Sequence, residues 1–194
     1  LDEANERLLA RAKPTLTPLS TGHLALDFDV FTLDNSGTKK EGVGWTYKQV
    51  DGFAPIFAYL GAEGYLVHEQ LREGTQHCQK NTPAFITRAI ANARLVTDGR
   101  ILVRLDSGND AEETLEACRN AKADFIIKRN LRRESKDEWL EIGMAYGDWR
   151  EPREGKRVFV GDMHRTCGER LWRVVFEVTE RTVTADGQVL LIPD

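Results

Sequence analysis

The stretch that decides the fold is His23-Leu24-Ala25-Leu26-Asp27-Phe28-Asp29-Val30-Phe31. It alternates. Leu24, Leu26, Phe28 and Val30 fall on one face of a strand, and Ala25, Asp27, Asp29 and Phe31 on the other. Two carboxylates therefore leave the same face, two residues apart. Such a pair on an otherwise apolar strand is costly unless cations or hydrogen-bond donors neutralise it. A second run, Ile101-Leu102-Val103-Arg104-Leu105-Asp106, precedes Ser107-Gly108 and again delivers a carboxylate at the C-terminal side of an apolar strand. An Asp at a strand end more commonly caps the next turn. Two of them, on strands that the topology can bring together, predict a metal site at a sheet edge.

Working outward, residues 2–13 are rich in Ala, Leu, Glu and Arg and predict a helix that stops before Pro14. Residues 32–52 carry turn chemistry, Asp34-Asn35-Ser36-Gly37 and Lys39-Lys40-Glu41-Gly42, and read as a loop with a short extended piece at 45–48. Residues 53–60 and 65–71 read as strands joined by a hairpin at Gly61-Ala62-Glu63-Gly64. A helix is expected at 82–95, with Thr82 as its cap, Pro83 in its first turn and a stripe of Phe85, Ile86, Ala89, Ile90 and Ala93. A second is expected at 109–121, with Leu115 and Cys118 on its inner face, and a fifth strand at 123–127.

Strands one to three are close enough for an antiparallel meander, and strands four and five follow helical crossovers. The fold class is therefore α/β, with a mixed five-stranded sheet in spatial order 3-2-1-4-5. That order makes strands one and four parallel neighbours. Asp29 and Asp106, 77 residues apart in sequence, then meet at the C-terminal edge, where such sheets place their sites. The remainder differs in texture. Residues 130–137 read as a charged loop, 139–145 as a short helix or strand, and 157–163, 170–178, 181–184 and 188–192 as strands, with a hairpin signal at Asp186-Gly187.

The bulk properties narrow the function classes. At 41% apolar and 30% charged residues, the composition is that of an ordinary globular protein. No apolar run approaches membrane-spanning length and no signal peptide opens the chain, so no membrane partner is expected. The three cysteines, Cys78, Cys118 and Cys167, have no paired spacing, which fits free thiols in a reducing, cytoplasmic compartment and argues against zinc. The net charge of −4 does not advertise nucleic-acid binding, but leaves room for a local basic surface. Lys128, Arg129, Arg132, Arg133 and Lys136 form such a run where the chain leaves the fifth strand. It reads equally well as a phosphate grip or as a solvated loop, because Glu134, Asp137 and Glu138 lie beside it. Trp45, Trp139, Trp149 and Trp172 read as packing residues.

Several segments, in this order, carry a family resemblance: Leu26-Asp27-Phe28-Asp29, the run from Asp34 to Val43, Tyr47 with Asp51-Gly52-Phe53-Ala54-Pro55-Ile56, Leu71-Arg72-Glu73-Gly74-Thr75-Gln76-His77, and Arg104-Leu105-Asp106-Ser107-Gly108. Over residues 20–130 the chain resembles the catalytic domain of DDE-type transposases of bacterial insertion sequences, whose core is ribonuclease H-like. The resemblance implies metal-dependent phosphodiester cleavage and strand transfer at transposon ends, in the bacterial cytoplasm. Two Mg²⁺ or Mn²⁺ ions would be held by two Asp and one Glu. Asp29 matches the first position, with Asp27 as its possible substitute, and Asp106 matches the second. Lys128, Arg129, Arg132 and Arg133 would contact DNA, and a homodimer would bridge two transposon ends. The implied domains are a helical tail and linker at 1–19, the ribonuclease H-like core at 20–130 and a β-rich insertion at 131–194. The third acid would lie on a helix beyond that insertion, so the chain is expected to stop short of a complete site and to be inactive alone. Glu138, Glu141 and Glu169 match no family motif.

Two rival readings remain at this level. Asp27-Phe28-Asp29 is compatible with a haloacid-dehalogenase-like phosphatase using Asp27 as nucleophile, although Phe31 stands where that pattern has Thr or Ser. The non-enzymatic rival is a DNA-binding or assembly piece with a defunct site.

Overall fold

The structure, a computed structural model, describes residues 2–131 and 134–190. The chain divides into two compact units, Leu1–Asn130 and Leu131–Asp194. The first unit opens with helix α1 (Asp2–Ala12), followed by strand β1 (Leu24–Val30). Three short strands, β2 (Leu33–Asp34), β3 (Gly44–Trp45) and β4 (Asp51–Phe53), form a small sheet in order β2-β4-β3, where a loop is expected from sequence. The strand expected at 53–60 is interrupted at Ala54-Pro55 and resumes as β5 (Ile56–Leu60). Proline has no amide hydrogen to give the ladder. Strand β6 (Tyr65–Gln70), helix α2 (Thr82–Val96), strand β7 (Ile101–Leu105), helix α3 (Glu112–Asn120) and strand β8 (Asp124–Ile127) complete the unit.

The main sheet has the order β6-β5-β1-β7-β8, the order expected from sequence for a ribonuclease H-like core. β1 is antiparallel to β5 and parallel to β7, and β8 continues parallel to β7. One face is the core. Leu26, Ile56, Ala58, Leu60 and Val103 are fully buried there, against Ile86, Ala89, Ile90 and Ala93 of α2 and Cys118 of α3. Burial pushes the Cys118 thiol up to about 12, as befits a small packing residue. The expected Thr82 cap is not made. Asn81 takes the cap position at φ 62 without a side-chain bond. The Thr82 hydroxyl instead accepts from Arg72 Nη1 at 3.0 Å and donates to the Cys78 carbonyl at 2.5 Å.

The second unit contains helix α4 (Lys136–Tyr146) and strands β9 (Asp148–Arg153), β10 (Lys156–Cys167) and β11 (Arg170–Arg181), in sheet order β11-β10-β9. A charged loop running to Asp137 is therefore corrected. Ser135 and Glu138 form a reciprocal capping box that starts α4. The strands expected at 181–184 and 188–192 reduce, among the described residues, to one bridge between Val183 and Val189. Trp139 packs as expected: it is buried, donates through Nε1 to Glu134 at 2.8 Å, and lies under Arg165 at 4.7 Å. Trp45 and Trp149 do not, being 61% and 63% exposed. Among the described residues no helix is long and apolar enough to cross a membrane.

Because Trp139 is the buried anchor of α4, Trp139→Ala is expected to cost about 3–5 kcal/mol in urea unfolding of the second unit. An unchanged midpoint would mean that α4 is held by something else.

Candidate active site

The β1–β7 ladder sets the geometry. Leu24 pairs with Ile101 and Asp27 with Arg104, an offset of 77 residues, which is the offset between Asp29 and Asp106. Asp106 keeps an extended backbone at φ −78, ψ 177, so alternation carries through it. Its side chain therefore leaves on the face of Leu102 and Arg104, the face that Asp27 and Asp29 share on β1. β8 extends the row: Arg104 pairs with Ile126, and the Lys128 amide donates to the Leu105 carbonyl at 3.1 Å. Two rows cross the sheet on the face away from the core. At the C-terminal edge run Phe57, Asp29, Asp106 and Lys128, with Asp29 paired to Phe57. One step behind run Tyr59, Asp27, Arg104 and Ile126.

The carboxylates are in different states. Both oxygens of Asp27 accept from Arg104, Oδ1 from Nε and Oδ2 from Nη2, each at 2.5 Å. The hydrogen bonds that Arg104 donates to Asp27 raise its pKa further, so the guanidinium stays charged. Asp106 Oδ1 accepts from the Gly108 amide at 3.1 Å and from Asn109 Nδ2 at 2.8 Å. It thus does cap the turn Ser107–Asn109, but with one oxygen. Asp29 is exposed at the edge, beside Phe57, whose ring stacks on Phe31 at 5.0 Å. Neither Asp29 nor Asp106 Oδ2 has a partner among the described residues.

Those free oxygens form a hard donor set of the kind Mg²⁺ or Mn²⁺ takes, with water and phosphate completing the shell. As hard oxygen donors on one sheet edge, Asp29 and Asp106 are chemically compatible with such an ion. Among the described residues no group of three or more His, Cys, Asp or Glu gathers around a metal position. Glu138 is spent on the α4 capping box.

The loop after β6 buttresses the Asp106 turn. Arg72 is 4% exposed, and its guanidinium bonds the Gln70 side chain, the Cys78 carbonyl and Thr82, and stacks over Phe85. Burial pulls its pKa down to about 10, and no carboxylate among the described residues neutralises it. Cys78 Sγ in turn donates to the Gly108 carbonyl at 3.1 Å. A side chain at Gly108 would meet the Asp106 carboxylate and Cys78 Sγ, both at 3.3 Å.

Of the basic run, Lys128 is exposed in the row of Asp106, and Arg129 is half-buried. Arg132 and Arg133 lie outside the described residues. Sequence reasoning missed Arg104 and Asn109 as site residues. Arg104 was findable by parity, two residues before Asp106 on a strand. Asn109 was findable as the residue three positions after the Asp of an Asp-led turn.

No curated protein matches the chain. Among solved structures it is similar to a chain of the piggyBac transposase synaptic complex with hairpin DNA, at 11% identity and a TM-score of 0.37, covering 84% of this chain and 33% of that one. It is also similar to a chain of the simian T-cell lymphotropic virus intasome in complex with PP2A regulatory subunit B56 gamma, at 9% identity and a TM-score of 0.36, covering 90% and 85%. This chain thus spans 33% of the length of the piggyBac chain it matches. The model of the family described as transposase DDE domain group 1 matches residues 2–159, and the chain belongs to that family.

Proposed function

We propose that the chain carries the metal-dependent active site of a DNA transposase, cleaving phosphodiesters and transferring strands at transposon ends. The observation that carries this reading is the level placement of Asp29 and Asp106 on one sheet edge, in a chain of the transposase DDE family. Asp29 and Asp106 are the metal ligands, and Asp27 is not, because both its oxygens are committed to Arg104. That commitment also removes Asp27 as the nucleophile of a phosphatase. The core at 20–130 acts with a tail and linker at 1–19 and a β-rich insertion at 131–194. Transposon-end and target DNA are the partners, with two copies bridging two ends in the bacterial cytoplasm.

The reaction is an in-line displacement: an oxygen of water or of a 3′-hydroxyl bonds to phosphorus as the bond to the leaving oxygen breaks. Two divalent ions, when bound, lower the cost of both the attacking and the leaving oxyanion. Asp29 and Asp106 hold the ions on a rigid edge. Asn109 and the Gly108 amide fix one oxygen of Asp106 and present the other. Lys128, with Arg129, Arg132 and Arg133 after it, draws in the DNA backbone.

Mn²⁺ titration tests the ligands. Asp29→Asn and Asp106→Asn should each weaken binding at least about tenfold, whereas Asp27→Asn should stay within about twofold. If Asp27→Asn carries the large loss, the assignment within the pair is reversed. In the full-length protein, Asp106→Asn should abolish strand cleavage and leave DNA binding intact. A fully active Asp106→Asn protein would sink the transposase mechanism. Replacing Lys128, Arg129, Arg132 and Arg133 by Ala should weaken binding to all duplexes alike. It should also flatten the dependence of log affinity on log salt by about 0.9 for each phosphate that is no longer neutralised. An unchanged slope would make the run a solvated loop.

A further inference from the structure

The Asp27–Arg104 pair has no place in the scheme above, yet it stands one row behind the two free carboxylates and on their face. Its side chains are 38% and 46% exposed. At such exposure an ion pair adds little to the stability of a sheet whose core is fully buried. Its geometry is more informative. Asp27 engages Nε and Nη2, one edge of the guanidinium. Arginine has five N–H donors, and this mode uses two. The Nη1 edge has no partner among the described residues, and the residue is exposed. An arginine side chain normally samples many rotamers. Here a bidentate clamp fixes its plane, so little further entropy is lost when the free edge binds.

Arg104 is also near the acid pair in the sheet. Arg104 and Asp106 are two residues apart on one strand face, about 7 Å along the chain. Lys128, exposed, follows β8 in the row of Asp106. A phosphodiester bound at the Asp29–Asp106 edge would have a lysine on one side and the guanidinium fork behind it. A planar fork matches two phosphate oxygens, whereas an ammonium acts as a point charge.

We propose that Arg104, clamped by Asp27, is a phosphate-binding residue of the acidic face and grips the phosphodiester on which the Asp29–Asp106 pair acts. Asp27 is its positioning residue. The proposal rests on the reading of Asp29 and Asp106 given above. It also explains why a strand carries two carboxylates on one face when only one is free for a cation.

The test uses the full-length protein with MnCl₂, supercoiled plasmid as the nicking substrate and a short fluorescent duplex as the binding probe. Arg104→Gln is expected to slow nicking at saturating Mn²⁺ by about 10²-fold, the usual loss for one preorganised donor at a reacting oxyanion. It should reduce the salt slope of duplex binding by about 0.9 and leave the half-saturating Mn²⁺ concentration within about twofold. Asp27→Asn should slow nicking less, and Asp27→Asn/Arg104→Gln should be no slower than Arg104→Gln alone, because Asp27 acts only through Arg104. Arg104→Lys keeps the charge without the fork and should restore the salt slope but not the rate.

An unchanged salt slope and rate in Arg104→Gln, with Asp29→Asn inactive, would overturn this inference and leave the acid pair standing. A loss of Mn²⁺ affinity or of thermal stability in Arg104→Gln would overturn it in favour of a strut between β1 and β7. Nicking by Asp29→Asn at the parent rate would defeat the underlying reading instead. The salt-slope arm needs no turnover, so it decides the inference even for a protein that nicks plasmid poorly.

Discussion

Everything proposed for this chain depends on the register of one parallel ladder, β1 against β7. A slip of one residue would turn every side chain of a strand to the opposite face. A slip of two would keep the faces but set Asp29 against Arg104, converting a free carboxylate into half of an ion pair. The register is fixed mainly from the other side of the sheet. Leu24 is paired with Ile101 and Leu26 with Val103, all four 5% exposed or less, over α2. Truncating one such side chain typically costs about 2–5 kcal/mol. The Asp27–Arg104 pair lies in that register too, but its exposed charges add far less. The core therefore sets how Asp29 and Asp106 stand to each other, and the charges on the outer face add little to that placement.

The same division explains the loop after β6. Arg72 is a buried cation with no carboxylate beside it among the described residues, an arrangement that proteins usually avoid. Its three hydrogen-bond acceptors and the Phe85 ring compensate in part, and tie β6, the Cys78 turn and the start of α2 into one block. Cys78 then reaches the carbonyl of Gly108, whose amide holds Asp106. A continuous set of bonds thus runs from a fully packed element to the Asp106 carboxylate. Among the described residues Asp29 has no comparable support; its position comes from the strand itself.

What could be read from the sequence followed the strength of the local pattern. Period-two alternation in 24–30 and 101–105 was enough to give faces and, with the helices between, strand order. The interruption at Ala54-Pro55 was written in the proline. Helix α4 was harder. Its interior holds Gly143, whose added Cβ would meet Phe159 at 3.1 Å, so a residue chosen for close packing weakens the helical signal. The Ser135-to-Glu138 capping box was the visible clue. β9 was missed because it is an edge strand, charged and carrying Pro152, and pairs with β10 alone. At the site, the two free acids were legible because apolar strands rarely end in Asp without reason. Arg104 was not, because a charge within a strand looks the same whether it meets solvent or a carboxylate one strand away. Only the register distinguishes these.

The most direct measurement of the central claim is anomalous diffraction from crystals of the protein soaked in MnCl₂. The account predicts a manganese peak bridging Asp29 and Asp106 Oδ2, with the Asp27–Arg104 pair intact beside it. A peak on Asp27 with Arg104 displaced, or manganese bound elsewhere while Asp29 and Asp106 remain bare, would contradict it.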